Sequence, residues 1–80
     1  MRRRRAASDY VVCLSNEGYR ASLVVRRIYR VVADAESERR GLLRVVDESG
    51  ADYLFPEKLF APLDVPRALH RKLALATKHL

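Results

Sequence analysis

The segment Leu42 to Pro56 constrains this chain most. Leu42-Leu43-Arg44-Val45-Val46-Asp47 and Asp52-Tyr53-Leu54-Phe55 are short runs of β-favouring residues on either side of Glu48-Ser49-Gly50. Two such runs around a tight-turn tripeptide specify a β-hairpin from local information alone. Pro56 ends the second run, because proline lacks the ladder donor. Alternation places Leu43 and Val45 on one face and Leu42, Arg44 and Val46 on the other.

The rest of the chain is punctuated in the same way. Residues 9 to 15 read as a first strand, and Asn16-Glu17-Gly18 supplies turn chemistry. Leu23 to Val32 admits two readings. Val24, Ile28, Val31, Val32 and Ala35 fit a helical stripe over 22 to 40, with Ser22 as cap and Gly41 as stop. The same residues also fit a bent second strand. Its β-branched side chains lose χ1 freedom in a helix and suit a pleated surface, so the strand is preferred. Ala33 to Arg40 reads as a loop or one helical turn before Gly41. Glu57 to Phe60 reads as a single tight helical turn, and Ala61 to Leu63 as a fifth strand. Val65, Leu69, Leu73, Ala76 and Leu80 recur at helical spacing with Pro66 in the first turn, which predicts an amphipathic basic C-terminal helix over 65–80.

The expected fold is mainly β: a small SH3-like barrel of four to five short antiparallel strands with a C-terminal helix. The expected organisation is a flexible basic tail over 1–8, a β-barrel domain over 9–64 and the helix. Phe60, with Phe55 or Tyr53, is expected in the core.

From residue 10 to 66 the sequence resembles a group of small bacterial proteins of uncharacterised function. The resemblance rests on Asn16-Glu17-Gly18-Tyr19, Ala21-Ser22-Leu23 and Arg27-Ile28-Tyr29. It rests above all on the block Arg44 to Pro56, with Phe60 and Pro66 in keeping. It implies a compact β-domain in a bacterial cytoplasm and no particular activity.

Composition narrows the function classes. Eighty residues allow one small domain. A lined pocket of roughly 300 Å³ or more would hollow out so small a core. The longest unbroken apolar run, Tyr10 to Leu14, has five residues, against the roughly 20 of a membrane-spanning helix. No membrane association is expected. Single Cys13 excludes an internal disulfide and a multi-cysteine zinc site, and it reads as a buried, inert thiol suited to a reducing cytoplasm.

The net charge of +6 is unevenly distributed. Arg2, Arg3, Arg4 and Arg5 supply four positive charges, and residues 67 to 80 supply four more with no acid. Residues 6 to 66 hold eight basic and ten acidic side chains. The basic excess therefore belongs to the two ends, which weakens an inference from high pI to nucleic-acid binding.

Candidate sites follow from these patterns. Asp47, Glu48 and Asp52 cluster at one turn. A carboxylate pair or cation site is one reading, but calcium-loop spacing is absent. The preferred reading is Asp47 and Ser49 bonding their own turn, with Glu48 solvated. His70 and His79 have no Cys or carboxylate close in sequence, and no serine has a nucleophile-elbow context. No catalytic residue, cofactor or metal site is assigned, and a non-enzymatic module is expected. Tyr19, beside the first turn, is the aromatic most suited to a ligand. Arg26, Arg30 and Arg44 could form a basic stripe, or could pair with Glu17, Asp47, Glu48 or Asp52 across strands. Tyr19, Arg26, Arg30 and Arg44 are thus the candidate partner-binding residues for an unknown protein partner. Arg2 to Arg5 are the candidates in an alternative, nucleic-acid-associated role.

Overall fold

The computed structural model describes residues 9–66 together with Ala68, Leu69, Arg71 and Lys72. Five antiparallel strands form one sheet: β1 (Tyr10–Cys13), β2 (Ile28–Val32), β3 (Leu42–Val46), β4 (Asp52–Pro56) and β5 (Phe60–Leu63). Helix α1 (Ala35–Arg39) lies between β2 and β3, and a 3-10 turn (Glu57–Leu59) joins β4 to β5. The strand order is β4-β3-β2-β1-β5. The expectation of a mainly β domain is met.

The β3–β4 hairpin forms as its turn chemistry directs. Gly50 N–H donates to Asp47 C=O at 3.0 Å, and Asp47 N–H donates to Ala51 C=O at 3.0 Å. Gly50 has a φ of 88°. This is a type I turn followed by a left-handed glycine, a common three-residue hairpin loop. It sets the register that places Leu43 opposite Phe55 and Val45 opposite Tyr53. A second glycine, Gly41 with φ 80°, closes α1 while its N–H donates to Glu38 C=O. Positive φ is where glycine avoids the Cβ penalty. At the other end of α1, Asp34 is the N-cap and accepts from Ser37 N–H at 3.2 Å.

The core lies on one face of the sheet. Val11, Cys13, Tyr29, Leu43, Val45, Phe55 and Phe60 line it, with Leu59 from the 3-10 turn and Leu23 from the β1–β2 connection. Tyr29 and Phe55 are 2% exposed, whereas Tyr53 is 54% exposed. Of the two aromatics offered for β4, Phe55 is the core residue. Tyr53 shares its face but lies nearer the hairpin end.

Two expectations change. The long second strand is cut short, because residues 24–27 form a turn: Arg27 N–H donates to Val24 C=O at 3.2 Å, and Arg26 has a φ of 73°. Only Ile28–Val32 is extended. Secondly, the sheet is open. Its end strands β4 and β5 are not paired with one another, so a closed barrel is not formed. Ladder alternation supplies a reason. The Asp47–Ala51 bond makes Tyr53 and Phe55 face β3 through their backbones, leaving Asp52, Leu54 and Pro56 pointing outward. Likewise Leu14 N–H donates to Leu59 C=O at 2.7 Å, so Phe60 and Pro62 point outward from β5. Two of these five outward positions are prolines without an N–H. A third, Phe60 N–H, is engaged by Glu57 C=O.

Of the predicted C-terminal helix, Ala68, Leu69, Arg71 and Lys72 have helical backbone, and Leu69 N–H donates to Pro66 C=O at 2.9 Å. Its remaining positions from 67 onward, His70 and His79 among them, lie outside the described residues. So does the basic segment 1–8. Among the described residues no helix is long and apolar enough to cross a membrane.

Candidate functional site

The sequence-derived candidates are not brought together as one stripe. Arg44, on β3, is half-buried and held by two carboxylates: Nε lies 2.9 Å from Asp34 and Nη1 lies 3.5 Å from Asp52. Asp52 is one of the cross-strand partners the sequence offers; Asp34 is not. Asp34 lies ten residues before Arg44, where the chain passes from β2 into α1. Arg30 is exposed on β2, opposite Tyr10 of β1. Arg26 is exposed too, but it sits in the Val24–Arg27 turn rather than in the strand, so it does not alternate with Arg30. Tyr19 is half-buried, its ring edge-on to Phe55 with centroids 5.2 Å apart. It belongs largely to the seam between the long connection and the core. Arg2 to Arg5 lie outside the described residues.

The Arg44 cluster is electrostatically closed. Asp34 carries its N-cap bond from Ser37 N–H, a second bond from Ser37 Oγ at 2.9 Å, and the bond from Arg44. In that order of importance, these hold its carboxyl below the usual range. Because the folded-state value is depressed, the associated stability is present above the ordinary value of about 3.9. It is lost as pH falls through the folded value. Replacing Asp34 with Asn is therefore expected to lower the melting temperature near pH 6 and to flatten its decline between pH 6 and 2. Thermal melts across that range are the check, and identical acid limbs for the two proteins would refute the assignment.

A second network was missed in the sequence. Glu48 was expected to be solvated, but its carboxylate accepts from Arg27 Nη1 at 3.0 Å on both oxygens and from the Tyr29 hydroxyl. The hydroxyl in turn accepts from Val24 N–H at 2.7 Å. Burial above all, with the Glu48 carboxylate beside it, pushes the Tyr29 hydroxyl well above the usual phenol range. Glu48 N–H donates to Ser22 C=O at 3.0 Å. One turn residue thus ties the hairpin to the β1–β2 connection. A sequence signal did exist: the turn needs one carboxylate, supplied by Asp47, and a second acid follows it directly. Asp47 is 7% exposed and accepts from Ser49 N–H at 2.8 Å and Ser49 Oγ at 2.6 Å. Asp47 and Ser49 thus bond their own turn, as expected.

The exposed apolar residues form the other notable feature. Val24 and Val25 are 40% and 39% exposed, and Leu14 is 57% exposed. They are neighbours through the backbone, since Cys13 N–H donates to Arg27 C=O and Arg26 N–H to Cys13 C=O. Arg26 stands among them. Cys13 itself is fully buried, and burial pushes its thiol up, as befits an inert group. Among the described residues no group of three or more His, Cys, Asp or Glu side chains is placed to hold a metal ion.

No protein-family model, curated protein or solved structure matches the chain.

Proposed function

We propose that this chain is a non-enzymatic protein-interaction domain whose docking point is the Val24–Arg27 turn, with Leu14 beside it. The observation that supports this most is Arg26. A left-handed conformation costs a non-glycine residue about 1–2 kcal/mol, and glycine is the residue a turn of this kind favours. The turn holds an exposed arginine there instead, flanked by exposed Val24, Val25 and Leu14. Strain of this type is held in place by the surrounding structure, here by Arg26 N–H donating to Cys13 C=O at 2.7 Å, and it clusters at functional sites. Exposed apolar side chains on either side of an exposed cation suit a protein segment that is apolar and acidic.

The proposal extends to fold type and setting. The strand order supports an SH3-like relation. So does β2, which pairs with β1 through its first half and β3 through its second, and so does the 3-10 turn before β5. Lone, buried Cys13 fits a reducing bacterial cytoplasm. The alternative, a nucleic-acid accessory role, draws on Arg2 to Arg5, Arg30 and the basic C-terminal segment. It is weakened by Arg44, paired with Asp34 and Asp52, and by Arg27, paired with Glu48.

Arg26→Gly separates folding from function. It is expected to hold or raise stability, by up to about 1 kcal/mol once the freer unfolded glycine is counted. A photo-crosslinker at Val25 of the full chain, used in the source cell, is expected to capture a discrete protein, and capture should fail in Arg26→Gly and Arg26→Glu. Capture unaffected by either substitution would defeat the reading. Salt-sensitive oligonucleotide binding that survives deletion of residues 1 to 6 would favour the alternative.

A further inference from the structure

The two end strands of the sheet differ in what their outward edges offer. On β5 neither outward position has a donor to give: Phe60 N–H is bonded to Glu57 C=O, and Pro62 has none. On β4 only Pro56 is disarmed. The outward N–H and C=O groups of Asp52 and Leu54 face away from β3 and have no backbone partner among the described residues. Edge strands are ordinarily blunted along their length. Here one is blunted fully and the other only at its end.

We propose that β4 pairs with β4 of a second copy of this chain, antiparallel about a two-fold axis beside Tyr53. This register pairs Asp52 with Leu54 of the second copy and Leu54 with its Asp52. Each pair exchanges two backbone hydrogen bonds, so all four free donors and all four free acceptors are satisfied. A register centred on Leu54 is poorer. It sets Asp52 against Pro56 and leaves the Asp52 carbonyl without a donor. Pairing stops after two residue pairs, because the next would join Pro56, which has no N–H, to Gly50, whose N–H is held by Asp47 C=O.

Side chains agree with this register. Tyr53 would face Tyr53 of the second copy at a non-hydrogen-bonded position, where side chains approach most closely and aromatic pairs are favourable. Tyr53 is 54% exposed and Leu54 38% exposed in the single chain. The two Asp52 carboxylates would sit diagonally across the seam, each already 3.5 Å from its own Arg44 guanidinium. An isologous contact of this kind closes after two copies and does not propagate. So short a seam falls short of the roughly 1,200 Å² typical of a stable interface, which makes the dimer weak and concentration-dependent.

The full chain should be studied from tens of micromolar to about one millimolar. Sedimentation should show the average mass rising from 9.2 kDa towards twice that value. Amide exchange at Asp52 and Leu54 should slow severalfold over the same range, while Ala61 and Leu63 of β5 stay constant. Tyr53→Lys sets two cations against one another across the axis and should remain monomeric, with the wild-type circular dichroism spectrum, whereas Tyr53→Phe should still dimerise. Constant exchange at Asp52 and Leu54, or a dimer indifferent to Tyr53→Lys, overturns the proposal. Because the seam lies on β4 and not at the Val24–Arg27 turn, either outcome leaves the partner-docking reading to its own test.

Discussion

Leu23→Ala is expected to destabilise the domain by about 3 kcal/mol, the usual cost of removing a fully buried leucine. Leu23 is 0% exposed although it lies in the β1–β2 connection rather than in a strand. Its C=O accepts from Asn16 Nδ2 at 3.0 Å, and its N–H donates to Tyr19 C=O at 2.9 Å. The backbone is thus set locally while the side chain fills the core beside Val11, Cys13 and Tyr29. Truncation leaves a cavity that the anchored loop cannot easily close. Domains have only about 0.05–0.15 kcal/mol of stability per residue, so the loss is a large part of the total. The adjacent Val24, 40% exposed, serves as the contrast. Val24→Ala should change stability by no more than about 0.5 kcal/mol. Denaturant midpoints for the two variants decide the matter, and similar losses at both positions would contradict the assignment of Leu23 to the core.

The second large effect is expected at Glu48. Glu48→Ala should cost about 2–3 kcal/mol, chiefly because the Tyr29 hydroxyl, on a residue only 2% exposed, loses its acceptor. Arg27 contributes less, since its side chain is 35% exposed and its ion pair is screened by solvent. Glu48→Gln keeps an acceptor for the hydroxyl and should therefore lose less than the alanine variant. Tyr29→Phe should cost about 1–2 kcal/mol, as Val24 N–H then lacks its acceptor. The two positions should not add. A double-mutant cycle is expected to show a coupling above about 1 kcal/mol, as for residues sharing one hydrogen-bond network. Additive losses would mean that the carboxylate and the hydroxyl act independently.

Much of the fold was legible where its determinants are close in sequence. Asp47, Ser49 and Gly50 make their bonds within four residues, so the hairpin and its register follow from the local chain. Gly41 was legible as a stop in the same way, but the polar stretch before it admitted a loop or one helical turn, and the Asp34 cap seen in the fold decides for the helix. The second strand was harder to read. The run from Leu23 to Val32 is rich in β-branched residues and favours a strand over a helix, yet the chain turns at 24–27. What decides this is Tyr29, whose hydroxyl reaches back to Val24 N–H once its ring is buried. Tertiary packing overrides propensity there.

The candidate site was less legible, for a related reason. Whether an arginine is a free cation depends on which carboxylate the fold sets beside it. Arg44 meets Asp34 across ten residues, and Arg27 meets Glu48 across twenty-one. Composition did separate the charge of the ends from that of the domain, but it could not say which cations within the domain were already matched. The arginines at 26, 30 and 44 look equivalent in the sequence. In the fold Arg44 is paired, Arg30 stands on a strand and Arg26 is held in a left-handed turn.

The sequence by itself determined the mainly β character, the β3–β4 hairpin, the stop at Gly41 and the tight helical turn before the last strand, while the polar stretch 33–40 stayed open between a loop and one helical turn until the fold set Asp34 as its cap. Each rests on hydrogen bonds and steric preferences between near neighbours. Only the tertiary structure decided which arginines are matched, that Glu48 is a structural anchor, and that one sheet edge keeps its donors while the other does not. Those outcomes depend on strand order, because strand order determines which distant side chains and backbone groups come to face one another.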